Sequence, residues 1–301
     1  MPRPGPCRPA VAPGRAGPYC RRTIGKRNIA FNPPPDRRSR ELEPVPPSGS
    51  CLRISSRVNP IVVIPARMAS TRLPGKPLAD INGKPMILHM LDRGRQAGIG
   101  PVAVASGDPE IAAVVRAAGG RVVLTDPALP SGSDRVHAAL AELDPDRRHD
   151  VVVNLQGDFP TLDPAGLRLV ITPLANPSVD IGTLVVPIGD EAEAATESFV
   201  KAACAFGPDE AVAPALYFSR LPIPWGPGPR WHHVGIYAWR RAALDRFVAL
   251  PPSPLERRES LEQLRALEHG MRIACARMEH GPFGVDTPED LERARAWLAR
   301  R

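Results

Sequence analysis

The sequence predicts an α/β protein with a mostly parallel, twisted sheet flanked by helices. Two runs, Ile61 to Ile64 and Val151 to Leu155, are apolar except for Asn154 and have the composition of strands that are buried on both faces. Strand-like and helix-like patterns alternate around them, which is typical of parallel strands joined by right-handed helical crossovers. These two observations together predict the fold class.

The individual elements follow from local signals along the chain. Pro65 is expected to end the first strand, Gly98 the first helix, and Asp108-Pro109 to begin the second helix as an N-cap. Pro288 should open the last helix inside a Thr-x-x-Asp capping arrangement. We expect helical segments over residues 84–96, 109–118, 134–143 (capped by Ser133), 164–175, 240–250 and around 261–265, strands over 102–105, 121–124, 181–188, 233–237 and 271–278, short strands between 200 and 225, and a solvated helix or loop over 191–197.

Residues 1–58 form a separate segment by composition, and residues 59–301 form the predicted folded domain. The segment holds 12 of the 39 Lys and Arg, 3 of the 32 Asp and Glu and 12 of the 38 prolines. Because it has few periodic apolar residues, we expect a disordered leader. A transit peptide, a basic tail or a mis-called start codon would explain it. We favour the mis-called start, since the folded pattern begins abruptly at Val58.

Charge, hydropathy and cysteine usage exclude several classes of partner. Without the leader, 27 Lys and Arg face 29 Asp and Glu, so no nucleic-acid partner is expected. No run approaches the roughly 20 apolar residues of a membrane span, so no membrane partner is expected. Cys204 and Cys275 lie in apolar contexts without a CxxC pair, which favours free buried thiols in a reducing cytoplasm over a disulfide or a zinc site.

A basic loop follows the first strand directly. Arg67, Arg72 and Lys76 occur within ten residues, with Ser70 among them. Ligands of open α/β sheets bind at the carboxyl ends of strands, and cations interleaved with small donors suit a polyphosphate. A solvated basic turn is the alternative. The Walker pattern is excluded, because Pro77 stands where that pattern requires Ser or Thr after the lysine.

Two aspartates are candidate metal ligands. Asp158 follows the strand that ends at Leu155, so it should lie at the same sheet edge as the basic loop. Asp286 lies just outside the predicted cap of the last helix, which does not need it. Charge balance for Asp158 and an aspartate-threonine turn for Asp286 are the alternatives. Together the two carboxylates suit Mg²⁺ bound with a triphosphate.

Several ordered stretches resemble the 3-deoxy-manno-octulosonate (Kdo) cytidylyltransferase family. They are RMASTRLPGKPL at 67–78, PSGSDR at 130–135, QGD at 156–158, HVGIY at 233–237, SPLE with LEQLR between 253 and 265, and GVDTPED at 284–290. The similarity runs from Asn59 to the C-terminus. It implies a Rossmann-like nucleotidyltransferase fold with a smaller lobe at about residues 176–240 for sugar binding and dimerisation.

The resemblance also implies a reaction. CTP and Kdo would give CMP-Kdo and diphosphate, the activation step before Kdo joins the lipopolysaccharide inner core. The implied enzyme is a cytoplasmic homodimer that uses Mg²⁺, and the anomeric hydroxyl of Kdo would attack the α-phosphate directly.

The resemblance assigns roles to residues that match the family motifs. It places Arg67, Ser70, Arg72, Lys76, Ser131 and Arg135 on the nucleotide, Gln156, His233, Tyr237, Glu262 and Gln263 on the sugar, and Asp158 and Asp286 on the metal, with Arg67, Lys76, Asp158 and Asp286 as the catalytic set. The chain departs from the family pattern at Gly107 and Phe159, where the family has aspartate and glutamate.

Other interpretations of these residues stay open from the sequence alone. A histidine on a strand is often a core residue, and Glu262 and Gln263 fall outside the apolar stripe of their helix, so they could be solvated. A cytidylyltransferase for another acidic sugar would share the loop and the metal residues. A non-catalytic nucleotide-binding regulator is the alternative from a different class.

Overall fold

The computed structural model describes residues 58–70 and 72–300, and the statements below concern this part of the chain. The predicted leader lies outside the described residues except for Val58. The strands are β1 Pro60–Ala66, β2 Asp80–Ile81, β3 Lys84–Pro85, β4 Val102–Ser106, β5 Arg121–Leu124, β6 Val151–Asn154, β7 Ile181–Pro187, β8 Lys201–Cys204, β9 Val212–Ser219, β10 Trp231–Arg240 and β11 Ile273–Arg277. The helices are α1 Met86–Ala97, α2 Pro109–Ala117, α3 Gly132–Leu143, α4 Pro164–Leu169, α5 Glu191–Ala195, α6 Arg241–Val248, α7 Pro254–Glu259, α8 Gln263–Glu268 and α9 Pro288–Leu298.

The predicted α/β class is confirmed, but the sheet is mixed rather than mostly parallel. Its strand order is β5-β4-β1-β6-β10-β7-β11-β9-β8. The pairs among β5, β4, β1 and β6 are parallel, whereas β10 runs antiparallel to both β6 and β7. Parallel neighbours need crossovers of a dozen or more residues. The connections from β7 to β10 contain only the five-residue helix α5, so this part of the sheet folds back in antiparallel pairs.

Strand β1 lies in the middle of the parallel part and continues past Pro65. The prediction that Pro65 ends this strand is wrong, because Ala66 still pairs with Ser106 of β4. Val63 accepts a hydrogen bond from the Leu155 backbone on the β6 side, and this side of the ladder ends there. The backbone nitrogen of Pro65, two residues after Val63, also faces the β6 side. Because the ladder with β6 has already ended, the missing N–H of Pro65 removes no hydrogen bond from it.

Apolar clusters cover both faces of the sheet, and a third, smaller cluster lies beside them. Val62, Ile64 and Val153 contribute to one face cluster, and alternate residues of the same strands contribute to the other. The third cluster consists of the buried residues Ile81, Met86, Val285, Leu291 and Ala294. It joins the β2–β3 hairpin to α9 and so fixes the segment that carries Asp286.

The start of one helix and the end of another differ from the sequence prediction for reasons of local chemistry. Helix α3 begins at Gly132, because the hydroxyl of Ser131 accepts from the Asp134 N–H and caps it; Ser133 is therefore not the cap. The expected helix over 164–175 divides into α4 and a 3₁₀ turn at Thr172–Ala175. A proline clashes with the carbonyl four residues earlier in an α-helix, so Pro173 prevents α4 from continuing past Leu169.

In the described part of the chain no helix is long and apolar enough to cross a membrane.

A buried ion pair anchors the end of α3 to α6. The Arg241 guanidinium donates to Asp144 Oδ2 at 3.0 Å, and the backbone N–H groups of Arg148 and His149 donate to the same carboxylate. Burial raises the pKa of Asp144, but these hydrogen bonds and the charge of Arg241 outweigh burial and lower it overall. The carboxylate therefore stabilises the folded state only while it is ionised.

We expect Asp144→Asn to lower the free energy of unfolding at pH 7 by roughly 2 to 3 kcal/mol, because the buried Arg241 loses its hydrogen-bonded carboxylate and keeps only Asp245, at 3.8 Å. The group's pKa is depressed in the folded state, so the difference from wild type should shrink as the pH falls through that pKa. Urea unfolding at several pH values measures both effects. The matched control is Asp146→Asn, which removes the exposed pair between Asp146 and Arg148 and should cost less than about 1 kcal/mol. Equal losses in the two variants would contradict this account.

Candidate active site

Three separate parts of the chain meet at the side chain of Lys76. Its Nζ donates to Asp158 Oδ2 at 2.9 Å and to Asp286 Oδ1 at 3.1 Å. Lys76 follows β1, Asp158 follows β6, and Asp286 precedes α9. Burial lowers the pKa of Lys76, but the charges and hydrogen bonds of the two carboxylates outweigh burial and raise it. The ammonium group is therefore protonated at neutral pH.

Backbone contacts hold Asp286 beside Asp158. The Val285 N–H donates to the Asp158 carbonyl at 2.9 Å, while the Val285 side chain lies in the third cluster. On the other side, Asp290 Oδ2 accepts from the N–H groups of Asp286 and Thr287. The predicted capping box of Thr287 and Asp290 is present. Asp286 thus lies between two fixed backbone positions, and its carboxylate does not take part in the cap.

The two aspartates have the features that a hard cation requires. Asp158 Oδ1 is buried and has no hydrogen-bond partner, and Asp286 Oδ2 contacts only the exposed Arg72 guanidinium, at 3.2 Å. Among the described residues no group of three or more His, Cys, Asp or Glu side chains could hold a metal ion. An ion here would therefore take two protein carboxylates and fill its shell with phosphate oxygens and water, as Mg²⁺ does in nucleotide enzymes.

A cavity of about 370 Å³ lies between the basic loop and the start of α3. The residues predicted to bind the nucleotide all line it, and Gln156, predicted to bind the sugar, lines it as well. The lining includes Arg67, Ser70, Arg72, Lys76, Ser131, Arg135, Gln156, Asp158 and Asp286. Cations and hydroxyls on one wall and the amino-terminal turn of a twelve-residue helix on the other make this cavity suitable for phosphates.

Arg135 is a buried cation on the wall of this cavity. Its guanidinium donates to the Thr125 hydroxyl at 2.6 Å and to the Asp126 carbonyl at 3.1 Å, both of which are neutral oxygens. Burial and the charge of Arg67 lower the pKa of Arg135, while Asp108 acts in the opposite direction. A buried guanidinium without a bonded carboxylate favours an anion in the adjoining cavity.

The glycine at position 107 makes room for Arg135. A Cβ atom at Gly107 would lie 2.7 Å from Pro127 Cα and 2.9 Å from Arg135 NH1. Any side chain at this position would displace either the backbone or the guanidinium. At Gly107, where the chain departs from the family pattern, the absence of a side chain thus leaves the space that Pro127 and Arg135 occupy.

A second, larger cavity of about 880 Å³ adjoins the first. His233, Tyr237 and Gln263, predicted to bind the sugar, line it, together with Phe159. Arg72, Asp158 and Asp286 line both cavities. The two cavities therefore meet at the carboxylate pair, and molecules in each could contact there.

His233 and Tyr237 give the larger cavity a neutral wall. His233 Nε2 lies 2.9 Å from the Thr183 hydroxyl, and burial lowers the pKa of His233 to about 3. Burial, followed by the charges of Glu262 and Cys275, raises the pKa of Tyr237 far above its usual value. At neutral pH the imidazole is uncharged and the phenol keeps its proton, so both can form neutral hydrogen bonds.

Glu262 and Gln263 are not the solvated residues that their position on the helix suggests. Gln263 is 6% exposed and lines the larger cavity. Glu262 Oε2 accepts from the Ser133 hydroxyl at 2.9 Å, and its Oε1 is buried without a partner. Burial raises the pKa of Glu262 against the opposing effect of the Ser131 and Ser133 hydroxyls. Glu262 thus connects α8 to the start of α3, beside the smaller cavity.

Sequence reasoning did not assign a site role to Asp108, Thr183 or Arg293. Asp108 stands at the expected N-cap of α2, but its carboxylate accepts from the Met68 N–H at 2.9 Å and so anchors the basic loop. Thr183 holds His233, and Arg293 lines the larger cavity. Arg293 lies three residues after Asp290 of the capping box, and this spacing is the one sequence signal that could have indicated that the two side chains pair.

Comparison with protein families and curated proteins gives consistent results. A cytidylyltransferase family model matches residues 61–273. The 3-deoxy-manno-octulosonate cytidylyltransferase of Rhodospirillum centenum is 60% identical over 243 residues, which cover 81% of this chain and 95% of that protein. The protein of the same name from Paramagnetospirillum magneticum is 57% identical over 243 residues, covering 81% of this chain and 99% of its own length.

A solved structure matches the fold as well as the sequence. It is that of CMP:2-keto-3-deoxy-manno-octonic acid synthetase complexed with CTP, with a TM-score of 0.73 and 41% identity. The match covers 80% of this chain and 99% of the solved chain. Together with the curated relatives, this similarity is sufficient to assign the chain to a family.

We expect the His233 imidazole to remain neutral between pH 5 and pH 8, because its pKa is lowered to about 3. Nitrogen-15 NMR of the histidine side chains, with His233→Asn to assign the signal, measures this directly. The His233 signals should not move across that range, while those of an unfolded histidine peptide should move near pH 6.5. A titration of His233 between pH 5 and pH 8 would show that the ring is not held as described.

Proposed function

The chain belongs to the 3-deoxy-manno-octulosonate cytidylyltransferase family of cytidylyltransferases, and from this we propose that it transfers CMP from CTP to Kdo. The products are CMP-Kdo and diphosphate, for the lipopolysaccharide inner core. The observation that best supports this reaction is the meeting of two cavities at Asp158 and Asp286, beside Lys76. A nucleotide in one cavity and a sugar in the other would bring the α-phosphate and the attacking hydroxyl together.

In this proposal the triphosphate lies in the smaller cavity. Arg67, Arg72 and Lys76 bind its oxygens and stabilise the departing diphosphate, since such a transfer needs charge neutralisation and alignment more than covalent help. Ser70, Ser131 and Arg135 also contact the nucleotide. The buried guanidinium of Arg135 supports this placement, because its bonded partners are neutral oxygens and an anionic ligand would add a direct ionic contact.

Mg²⁺ is the metal that the proposal assigns to Asp158 and Asp286. The unpartnered Asp158 Oδ1 and the lightly bonded Asp286 Oδ2 support this assignment. When bound, the ion would supply charge stabilisation at the α-phosphate and lower the pKa of the attacking hydroxyl. Lys76 already neutralises part of the negative charge of the carboxylate pair, which keeps the two aspartates close before the ion arrives.

The sugar acid lies in the larger cavity in this proposal. His233, Tyr237 and Gln263 bind its hydroxyls, and Gln156 does so from the smaller cavity. Glu262, which the resemblance also assigns to the sugar, lines neither cavity, so it would have to leave Ser133 to bind a hydroxyl. A neutral His233 and a protonated Tyr237 suit this role, because both can donate a hydrogen bond without bringing charge. Neither is a good base at neutral pH, and Lys76 is protonated, which supports direct attack without a side-chain proton acceptor among these residues.

The proposal also includes the assembly and location that the resemblance implies. The segment at about 176–240 would form a smaller lobe that contributes to the sugar site and to a homodimer in the cytoplasm. Exposed Leu216, Leu221 and Trp225 support a contact surface there, because large apolar side chains on a surface often mark an interface. The parallel strands β5, β4, β1 and β6 correspond to the Rossmann-like part of the proposed fold.

We expect Asp286→Asn to lower kcat by at least about a hundredfold while CTP binding changes little, because a neutral amide would hold Mg²⁺ less firmly at the position where charge develops in the transition state. Diphosphate release with Kdo, CTP and Mg²⁺ measures turnover, and calorimetry measures CTP affinity. Asp209→Asn is the matched control, since Asp209 is exposed and lines neither cavity. Wild-type turnover in Asp286→Asn would rule out the assigned role, and a wild-type protein that binds CTP without turnover would instead be a nucleotide-binding regulator.

A further inference from the structure

A sugar acid brings a negative charge into the larger cavity, and the residues assigned to the sugar offer no positive charge to meet it. His233 is neutral because its pKa is about 3, and Glu262 is itself acidic. Gln156, Tyr237 and Gln263 carry no charge. A carboxylate that loses its water without a cationic partner is costly. Another residue of the cavity should therefore neutralise it.

We propose that Arg293 binds the carboxylate of the sugar substrate and thereby selects acidic sugars; this inference rests on the proposed function. Among the described residues that line the larger cavity, Arg72 and Arg293 are the two with a guanidinium group, and none is a lysine. Arg72 also lines the smaller cavity and contacts Asp286, which assigns it to the triphosphate. Arg293 lines only the larger cavity.

The Arg293 guanidinium is held in place while most of its donors stay free. Its NH1 donates to Asp290 Oδ1 at 3.1 Å, and its Cζ lies 4.6 Å from the centre of the Phe283 ring. The side chain is 63% exposed, so the remaining N–H groups can reach a ligand. A guanidinium has five N–H donors in a planar fork that matches a carboxylate, and stacking on an aromatic ring reduces the entropy lost on binding.

Arg293 also lies close to the metal carboxylates. Asp290, which binds Arg293 through Oδ1, accepts from the Asp286 N–H through Oδ2 at 3.3 Å. The Asp290 carboxylate therefore links the Arg293 guanidinium to the Asp286 backbone through two hydrogen bonds. Asp290 and Arg293 are three residues apart, so they share one face of α9.

The chemistry of the substrate places its carboxylate near Asp286, the end of the cavity from which Arg293 is reached through Asp290. In a 2-keto sugar acid the carboxylate is bonded to the carbon that becomes the anomeric carbon, and the same carbon carries the attacking hydroxyl. When this hydroxyl faces the α-phosphate near Asp286, the carboxylate must lie near Asp286 as well. Arg293 lines this cavity and is bonded to Asp290, whose other oxygen accepts from the Asp286 N–H, so it is the guanidinium that the inference assigns to this carboxylate.

The alternative is that the ion pair of Arg293 and Asp290 only stabilises α9. To distinguish the two, we would measure KM and kcat for Kdo and for its C1 carboxamide with wild type, Arg293→Gln, Arg293→Lys and Arg295→Gln. Arg295→Gln is the control, because Arg295 forms an ion pair of the same spacing, with Glu292, on the same helix and lines neither cavity. Arg295 also donates to the Asp80 carbonyl, so this control removes at least as many structural contacts as Arg293→Gln. Thermal unfolding reports any loss of stability.

We expect Arg293→Gln to raise KM for Kdo at least about tenfold, with KM for CTP changed less than about twofold. The preference of Arg293→Gln for the acid over the carboxamide should fall by a similar factor. Arg293→Lys should have a preference between those of wild type and Arg293→Gln, and Arg295→Gln should have the KM and the preference of wild type. An unchanged preference in Arg293→Gln overturns the inference while the proposed function stands. If Arg293→Gln does not fold, the preference of Arg293→Lys decides in the same way. A wild-type protein that turns over neither sugar overturns the proposed function and this inference with it.

Discussion

The contact of one ammonium group with two carboxylates is the interaction on which the candidate site depends. Lys76, Asp158 and Asp286 come from widely separated parts of the sequence and meet within 3.1 Å. Without a cation between them, two ionised carboxylates this close would repel each other or take up a proton. Lys76 removes that repulsion, and the backbone bond from Val285 to Asp158 keeps the geometry when the side chains exchange partners. The third cluster and the cap of α9 also maintain this contact, because both fix the position of Asp286.

The two cavities differ in charge in a way that suits two different ligands. The smaller one has Arg67, Arg72, Lys76 and Arg135 on its walls, and the buried guanidinium of Arg135 has no bonded carboxylate. The larger one has an uncharged His233 and a protonated Tyr237, and its lining carries more carboxylates than guanidinium groups, the latter being those of Arg72 and Arg293. The smaller cavity therefore suits a polyanion, whereas the larger one suits a ligand that makes mostly neutral hydrogen bonds.

The sequence predicted most of the local structure and the residues at the centre of the site, because their signals are local. The buried strands β1 and β6 were visible as apolar runs, and the cap of α9 was visible from Thr287, Pro288 and Asp290. The antiparallel half of the sheet was missed, since pairing between distant strands leaves no periodic pattern in one sequence. The hydrogen bond from Ser133 to Glu262 and the packing of Arg135 against Gly107 were missed because they join residues far apart in the chain.

The most direct test of this account is diphosphate release by the full chain with Mg²⁺ and Kdo, comparing CTP with ATP, GTP and UTP. The account predicts rapid release with CTP that depends on Kdo, and little with the other nucleotides, because both ligands must meet at Asp158 and Asp286. Release from CTP without Kdo, or no release with any nucleotide, would contradict the claim that the two cavities form one active site for sugar activation.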